Sequence, residues 1–205
     1  MIVATILISA YLLGSIPSAV WLGKWLYGVD VREHGSRNSG ATNTFRVLGK
    51  PLGFAVLLLD ISKGFLAVQA SYWIIPEGMS YVLLDVFAGL CCVLGHIYSV
   101  FVSFKGGKGV ATSLGVYLAL NPYTVLVCLA VFLAVFLTTR YVSLASILAA
   151  LCIPWISYFL FQQYEPITNF FNDAISALVV FSHRKNIQRL IKGSEPKMNF
   201  SKSKA

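Results

Sequence analysis

The polar residues able to do chemistry in this chain are few, and they gather in four clusters. The first runs Gly35-Ser36-Arg37-Asn38-Ser39-Gly40-Ala41-Thr42-Asn43-Thr44-Phe45-Arg46. Small hydroxyl and amide side chains, glycines that admit close backbone approach and flanking arginines suit an oxyanion. An ordinary loop uses the same turn residues, but the lack of any acidic residue across the stretch tilts the reading toward anion binding. The second cluster is Asp60 with Lys63. The i, i+3 spacing puts them on one helix face, where they can pair. A buried ion pair locking two helices fits that pair as well as a substrate contact does. The third is His96 followed by Phe104-Lys105-Gly106-Gly107-Lys108-Gly109, which opens onto an apolar helix at Val110. Glycines before a helix start present N–H donors and the positive dipole end to a phosphate. The spacing is not that of a Walker A loop. The fourth is His183-Arg184-Lys185-Asn186 with Arg189. A basic juxtamembrane anchor explains its arginines but leaves His183 and Asn186, three apart, unexplained. Ser143 and Ser146 share the same spacing and serve equally as hydrogen-bond donors or as small packing residues.

The elements that must position these clusters are built from an apolar chain. Of 205 residues, 57% are hydrophobic and 12% charged. A soluble domain carries about a quarter charged residues, so the polar side chains cannot coat a globule, and the surrounding medium is lipid. Apolar blocks fall at about 3–22, 52–75, 81–102, 110–120, 122–139, 142–161 and 166–182, and a span needs ~20 such residues. The block 110–120 is short for a crossing. Cys91, Cys92, Cys128 and Cys152 lie inside the blocks with no C-x-x-C spacing, so neither a disulfide framework nor a zinc site is expected. The first block lacks the basic start of a signal peptide and reads as a retained helix.

Charge placement sets the topology. Of the 16 Lys and Arg residues, 14 lie in the first long loop, in loop 103–109 or in the tail. The connections near 76–80, 121 and 162–165 contain none, and Glu77 and Glu165 lie there. With basic loops on the cytoplasmic side, loop 103–109 and Arg140 must be separated by an even number of crossings, so that 110–120 crosses or 110–120 and 122–139 form one re-entrant unit, and seven crossings satisfy every loop. The expected fold is therefore an all-α integral membrane protein with seven transmembrane helices, the N-terminus outside and the C-terminus cytoplasmic. One short helix follows the glycine-rich loop, which must dip into the membrane. Residues 1–195 form one membrane domain, and 196–205 read as a disordered cytoplasmic tail. The net charge of +8 is explained by lipid headgroups and orientation, with no nucleic-acid partner.

Taken in order, Gly14-Ser15, Gly35 to Asn43, Leu59-Asp60-Ile61-Ser62-Lys63-Gly64, Gly95-His96, Phe104 to Thr112, and His183 to Ile187 resemble the bacterial acyl-phosphate-dependent glycerol-3-phosphate acyltransferase family over about residues 8–195. The resemblance implies seven transmembrane helices in the bacterial inner membrane, with an active site toward the cytoplasm. It also implies transfer of a fatty acyl group from acyl phosphate to the 1-hydroxyl of glycerol 3-phosphate, giving lysophosphatidic acid, with neither a metal nor a cofactor. Ser36, Arg46, Lys105, His183 and Asn186 resemble the glycerol-phosphate pocket, with Ser36, His183 and Asn186 closest to the chemistry. Gly106, Gly107, Lys108 and Gly109 resemble the phosphate loop, and Ser143 a donor-side contact. Asn38, Thr42, Asn43, Asp60, Lys63 and His96 match motif positions without a defined role. Arg37 stands where the family often has glycine or lysine, Ser99 where a proline often follows, and Ser182 where a basic residue is usual.

The residues read alone agree on class, because joining a membrane-soluble acyl donor to a cytosolic phosphate needs an interfacial site with two anion binders. The rival reading is a transporter of a small anionic or phosphorylated solute, which would share the intramembrane charges. Against it, no internal repeat occurs and the polar groups collect toward one face. No H-x-x-x-x-D sequence follows His34, His96 or His183.

Overall fold

The structure, a computed structural model, describes residues 1–74 and 81–198. Glu77 and the connection around it lie outside the described residues, as do the tail residues 199–205. Among the described residues all regular structure is helical, and the chain divides into two compact units, Met1–Leu120 and Asn121–Ala205.

The first unit contains α1 (Ile2–Ser15), α2 (Ser18–Tyr27), α3 (Ala41–Leu48), α4 (Lys50–Ile74), α5 (Tyr81–Ile97), a 3₁₀ turn at Val100–Val102 and α6 (Val110–Leu120). The first apolar block is not one straight helix. It bends by 42° between α1 and α2 and runs on to Tyr27. Pro17 causes the break, since it donates no N–H and disfavours helical backbone at Ile16. Part of the first polar cluster is also helical: α3 begins at Ala41 and ends at Gly49, whose φ is +86°.

α4 packs against α6, and α1 against α5. Both pairs rest on reciprocal glycines. A Cβ at Gly64 would strike the Thr112 carbonyl and one at Gly115 the Ile61 carbonyl, while Gly14 and Gly95 do the same against Cys92 and Tyr11. In lipid no hydrophobic force pulls helices together, so close backbone contact through small residues supplies the association. Ile6, Ala10, Ala67, Leu84, Ala88 and Cys92 fill the space between these helices.

The second unit contains α7 (Pro122–Thr139), α8 (Val142–Trp155) with a π turn at Ile156–Leu160, α9 (Pro166–Ser182) and α10 (Arg184–Ile191). Asn121 caps α7, its Oδ1 accepting the Thr124 N–H at 3.2 Å, with Pro122 in the first turn. α8 packs against both α7 and α9. Phe171, Ile175 and Val179 recur every four residues along α9 and are buried. His183 continues that stripe, which is why an imidazole at a helix end is buried.

Among the described residues four helical segments are long and apolar enough to cross a membrane: Lys50–Ser71, Val82–Val102, Pro122–Thr139 and Val142–Leu160. The bent α1–α2 pair makes a fifth if it is one span. Only 11% of the α7 window is buried, so nearly its whole circumference offers leucine and phenylalanine outward, as a lipid-facing helix does. α6, with 11 residues, and α9, with 17, fall short of that length. The chain is a multi-pass, all-α integral membrane protein.

Candidate active-site groups in the two units

In the first unit, Asn43 organises the hydroxyl-rich loop. Its Nδ2 donates to the carbonyls of Val31 at 2.7 Å and His34 at 3.1 Å. Its Oδ1 accepts from the Ser36 N–H at 2.8 Å and from the Ser36 hydroxyl at 3.0 Å. Asn43 is 1% exposed and its amide is used on both ends, so it shapes the loop that presents Ser36. Because the Ser36 proton points to Asn43, the lone pairs of Ser36 Oγ face outward as acceptors. Gly35 takes φ +59° above the Asn43 amide, and Arg37 takes φ +58°. The left-handed backbone at 37 explains why glycine is at home there. Arg46 is half-buried in the last turn of α3, and Asn38 and Thr42 are half-buried at its start. Asp30, which the motifs did not single out, anchors the loop from below: it holds the Arg32 guanidinium at 2.7 Å and Lys24 at 3.1 Å. The Arg32 hydrogen bonds, against some cost of burial, hold the Asp30 carboxyl well below the usual carboxylate range.

Asp60, Lys63 and His96 are all buried, and Asp60 meets each of the other two. Asp60 Oδ1 lies 2.9 Å from Lys63 Nζ, accepts the Ser18 hydroxyl at 3.0 Å, and stands 3.8 Å from His96 Nδ1. Lys63 also donates to the Ile16 carbonyl at 3.0 Å, and the Ser99 hydroxyl donates to the Ser15 carbonyl. Both bonds satisfy carbonyls that the break at Pro17 takes out of the helical ladder. Ser99, where a proline is more usual, is therefore a fastener of α1. These groups line a narrow cleft together with Ser39, Gly106 and Gly107.

The glycine-rich loop differs from the expectation in one respect. The N–H groups of Gly106 and Gly107 do not point outward to cradle an anion. They donate to the carbonyls of Ile97 at 3.0 Å and His96 at 2.9 Å, closing the end of α5. These glycines are needed for contact instead, since a Cβ at Gly106 would overlap the His96 carbonyl and one at Gly107 the His96 ring. Gly109 does take φ +81°, and its carbonyl accepts the Ser113 N–H at 2.7 Å to start α6. The donors left by that helix start belong to the residues after Gly109. Lys105 is exposed and Lys108 half-buried.

In the second unit, the residue that sequence reasoning missed is Glu195. Given no role at the last position of the expected membrane domain, it is 6% exposed and gathers three donors. Its Oε1 accepts from Ser143 Oγ and from Asn186 Nδ2, each at 2.7 Å, and its Oε2 takes Arg189 Nε at 2.7 Å. Burial opposes ionisation of Glu195, but the bonds from Ser143, Asn186 and Arg189 outweigh it and hold the carboxyl below its usual value. A return turn makes this possible: Gly193 takes φ +67° and the Ser194 N–H donates to the Arg189 carbonyl at 2.8 Å. The chain stays ordered beyond it, with the Met198 N–H on the Arg140 carbonyl at 2.9 Å and Lys197 over the Tyr141 ring. A lone acidic residue between two arms rich in lysine and arginine was the available signal.

His183 is 2% exposed, and its Nδ1 lies 2.8 Å from the Val179 carbonyl. A carbonyl only accepts, so Nδ1 carries the proton of this bond. Ser182 bonds back to the Val179 carbonyl at 2.7 Å. Ser146 is buried beside Ser143 on α8. Among the described residues no group of three or more His, Cys, Asp or Glu side chains is arranged to hold a metal.

The match to known proteins runs nearly the whole length of the chain. Residues 4–193 fit the model of a family described as glycerol-3-phosphate acyltransferase. Curated relatives of that description include one from Fusobacterium nucleatum, 46% identical over 95% of this chain and 97% of its own length. Another, from Staphylococcus saprophyticus, is 42% identical over 98% of this chain and all of its own. Among solved structures, an integral membrane glycerol 3-phosphate acyltransferase in its glycerol 3-phosphate form superposes with TM-score 0.87 at 42% identity, covering 96% of each chain. Its lysophosphatidic acid form gives 0.85 at 41% identity. With the family's ordered motifs present and its whole length matched, this chain belongs to the glycerol-3-phosphate acyltransferase family.

Proposed function

We infer that this protein acylates the 1-hydroxyl of sn-glycerol 3-phosphate to lysophosphatidic acid, with acyl phosphate as donor. The observation that carries the reading is the full-length likeness to one integral membrane enzyme crystallised both with glycerol 3-phosphate and with lysophosphatidic acid, which are the substrate and product of such a transfer. The acceptor oxygen attacks the acyl carbonyl carbon and a tetrahedral oxyanion forms. The bond from that carbon to the phosphate oxygen then breaks, and inorganic phosphate leaves with the acceptor's proton. Phosphate is a good leaving group, so orientation and oxyanion stabilisation do most of the work.

Each unit has its share of contacts in this reading. Ser36, Arg46 and Lys105 hold glycerol 3-phosphate, Ser36 through its outward lone pairs and the two cations through charge. Lys108 and the N-terminus of α6 after Gly109 hold the donor phosphate. In the second unit His183 Nε2 accepts a hydrogen bond from the acceptor, Asn186 turns its remaining amide atoms to it, and Ser143 contacts the donor side. Asn38 and Thr42 shape the loop around Ser36.

The membrane arrangement that suits this chemistry is seven crossings of the bacterial inner membrane, N-terminus outside and reactive groups toward the cytoplasm. α6 and α9 supply the two crossings beyond the five apolar candidates. Glycerol phosphate then arrives from the cytosol and the acyl chain from the bilayer. Purified protein given palmitoyl phosphate and glycerol 3-phosphate should release lysophosphatidic acid and inorganic phosphate one for one. Product formation from acyl-CoA alone would overturn the donor assignment, and no product from either donor would overturn the reaction.

A further inference from the structure

Asp60, Lys63 and His96 share the cleft of the first unit with the glycine-rich loop, and the reaction as assigned gives them no task. Lys63 has a structural one, since its amine joins Asp60 to the Ile16 carbonyl at the break before α2. His96 does not help at that break. Its ring stands between the Asp60 carboxylate, 3.8 Å from Nδ1, and the backbone of Gly107, where an added Cβ would run into Nε2. Its own carbonyl and that of Ile97 receive the Gly107 and Gly106 N–H groups. The ring is 6% exposed, so it has no room to swing away. The loop it backs is not self-supporting. Ser103 and Phe104 hold φ of 54° and 60°, and Gly109 holds 81°; such backbone persists only where the surroundings over-determine it. The two cations that the loop offers, Lys105 and Lys108, flank the two glycines seated on this histidine.

We propose that His96, braced by Asp60, is a positioning residue for the reaction: its ring is the template on which Gly107 is seated, beside Gly106 on the His96 and Ile97 carbonyls, and it fixes where Lys105 and Lys108 meet the phosphate-bearing substrates. The role rests on the acyltransferase reading for its consequences but not for its geometry. It explains the absence of a side chain at Gly107 by one specific obstacle, the imidazole. A template must also act at a distance from substrate, because a displacement of the loop by about 1 Å suffices to cost ~10²-fold in rate.

A double-mutant cycle tests this. Gly107→Ala and His96→Ala should each lower kcat/KM by ~10²-fold, while the double variant should be no worse than the poorer single one, since the ring that the new methyl strikes is gone. Hydrogen exchange of the peptide covering 104–109 should quicken in His96→Ala, with α7 and α8 unchanged. Asp60→Asn, which keeps the shape and loses the charge, should give an intermediate effect on both readouts. Multiplicative losses in the double variant, or wild-type exchange at 104–109 in His96→Ala, would overturn the proposal. Should His96→Ala not fold, His96→Gln takes its place in the cycle under the same criteria. Wild-type protein that makes no lysophosphatidic acid would sink the acyltransferase reading alone, because the exchange measurement decides the template role without turnover.

Discussion

Side chains in this protein divide into those proposed to meet substrate and those that hold the polar clusters in place, and the second group was the harder to see from the sequence. Ser36 reads as an anion contact because a hydroxyl among glycines and arginines, in a stretch without an acid, has few other uses, and it sits on the Asn43 amide. Asn43 was legible as a polar motif position but not as the clamp of residues 31–36, since nothing in spacing says which carbonyls an amide will find. Glu195 was not legible at all, because a turn at Gly193 brings it back against α8 and α10 from what reads as a polar tail. That placement has a consequence with a definite sign. The folded carboxyl lies below its ordinary value of 4.5, so its bonds to Ser143, Asn186 and Arg189 contribute fully at neutral pH and are lost as pH falls below that value. Thermal melts in detergent between pH 7 and pH 3 should show an acid limb that Glu195→Gln flattens; superimposable limbs would remove Glu195 from the account. His183 bears a second prediction. With Nδ1 pinned to the Val179 carbonyl, His183→Ala should raise the KM for glycerol 3-phosphate at least tenfold and leave the KM for acyl phosphate near wild type. A loss of ~10²–10⁴-fold confined to kcat would instead make Nε2 the general base, and a defect confined to acyl phosphate would exclude His183 from the acceptor site.

Among the elements, the long apolar blocks became helices at close to their expected limits, as α7 and α8 show, because twenty apolar residues in lipid have no other way to satisfy their backbone. The misjudged elements are those where a polar interruption is itself helical or where a helix is broken. α3 arises inside the hydroxyl-rich cluster because Asn43 and Thr44 turn inward onto protein, a fact that turn propensity alone contradicts. The break at Pro17 was hidden by an unbroken run of hydropathy, yet it takes out of the helical ladder the carbonyls to which Lys63 and Ser99 bond. Glycines inside the blocks carry the packing of the first unit. Replacing Gly115 with alanine puts a methyl onto the Ile61 carbonyl, and overpacking of this sort costs about 1–3 kcal/mol. The melting temperature of Gly115→Ala in detergent should therefore fall by several degrees. An unchanged melting temperature would show that α4 and α6 do not depend on that contact.

At the scale of the whole molecule, the distribution of charge argues for a topology that helix length alone leaves at four or five spans. Lys105 and Lys108 precede α6, Arg140 follows α7, and Lys185 to Lys192 follow α9, so each basic stretch recurs after a pair of helices. α6 measures only about 16 Å at 1.5 Å per residue, half of a bilayer core, but it need not span alone. The segment from Tyr98 to Gly109 ahead of it is bonded back onto α5 through Gly106 and Gly107, which satisfies its backbone and lets it sit below the membrane surface. The arrangement predicts which side each exposed position faces. In a variant lacking Cys91, Cys92, Cys128 and Cys152, single cysteines at Lys105 and Lys192 should react with a membrane-impermeant maleimide only after the membrane is opened. Cysteines at Tyr123 and Glu165, also exposed, should react in intact cells. Tyr123 is the decisive position, because it lies just past α6. Labelling of Tyr123→Cys from outside, with Lys105→Cys protected, requires that α6 cross. Protection of both would make α6 a re-entrant helix, reduce the crossings by two and detach α7 from the orientation assigned to it. Proteins sealed in inverted vesicles should give the complementary pattern, with Lys105 and Lys192 labelled and Tyr123 and Glu165 silent. An identical pattern in both preparations would mean that the positive-inside rule does not govern this chain.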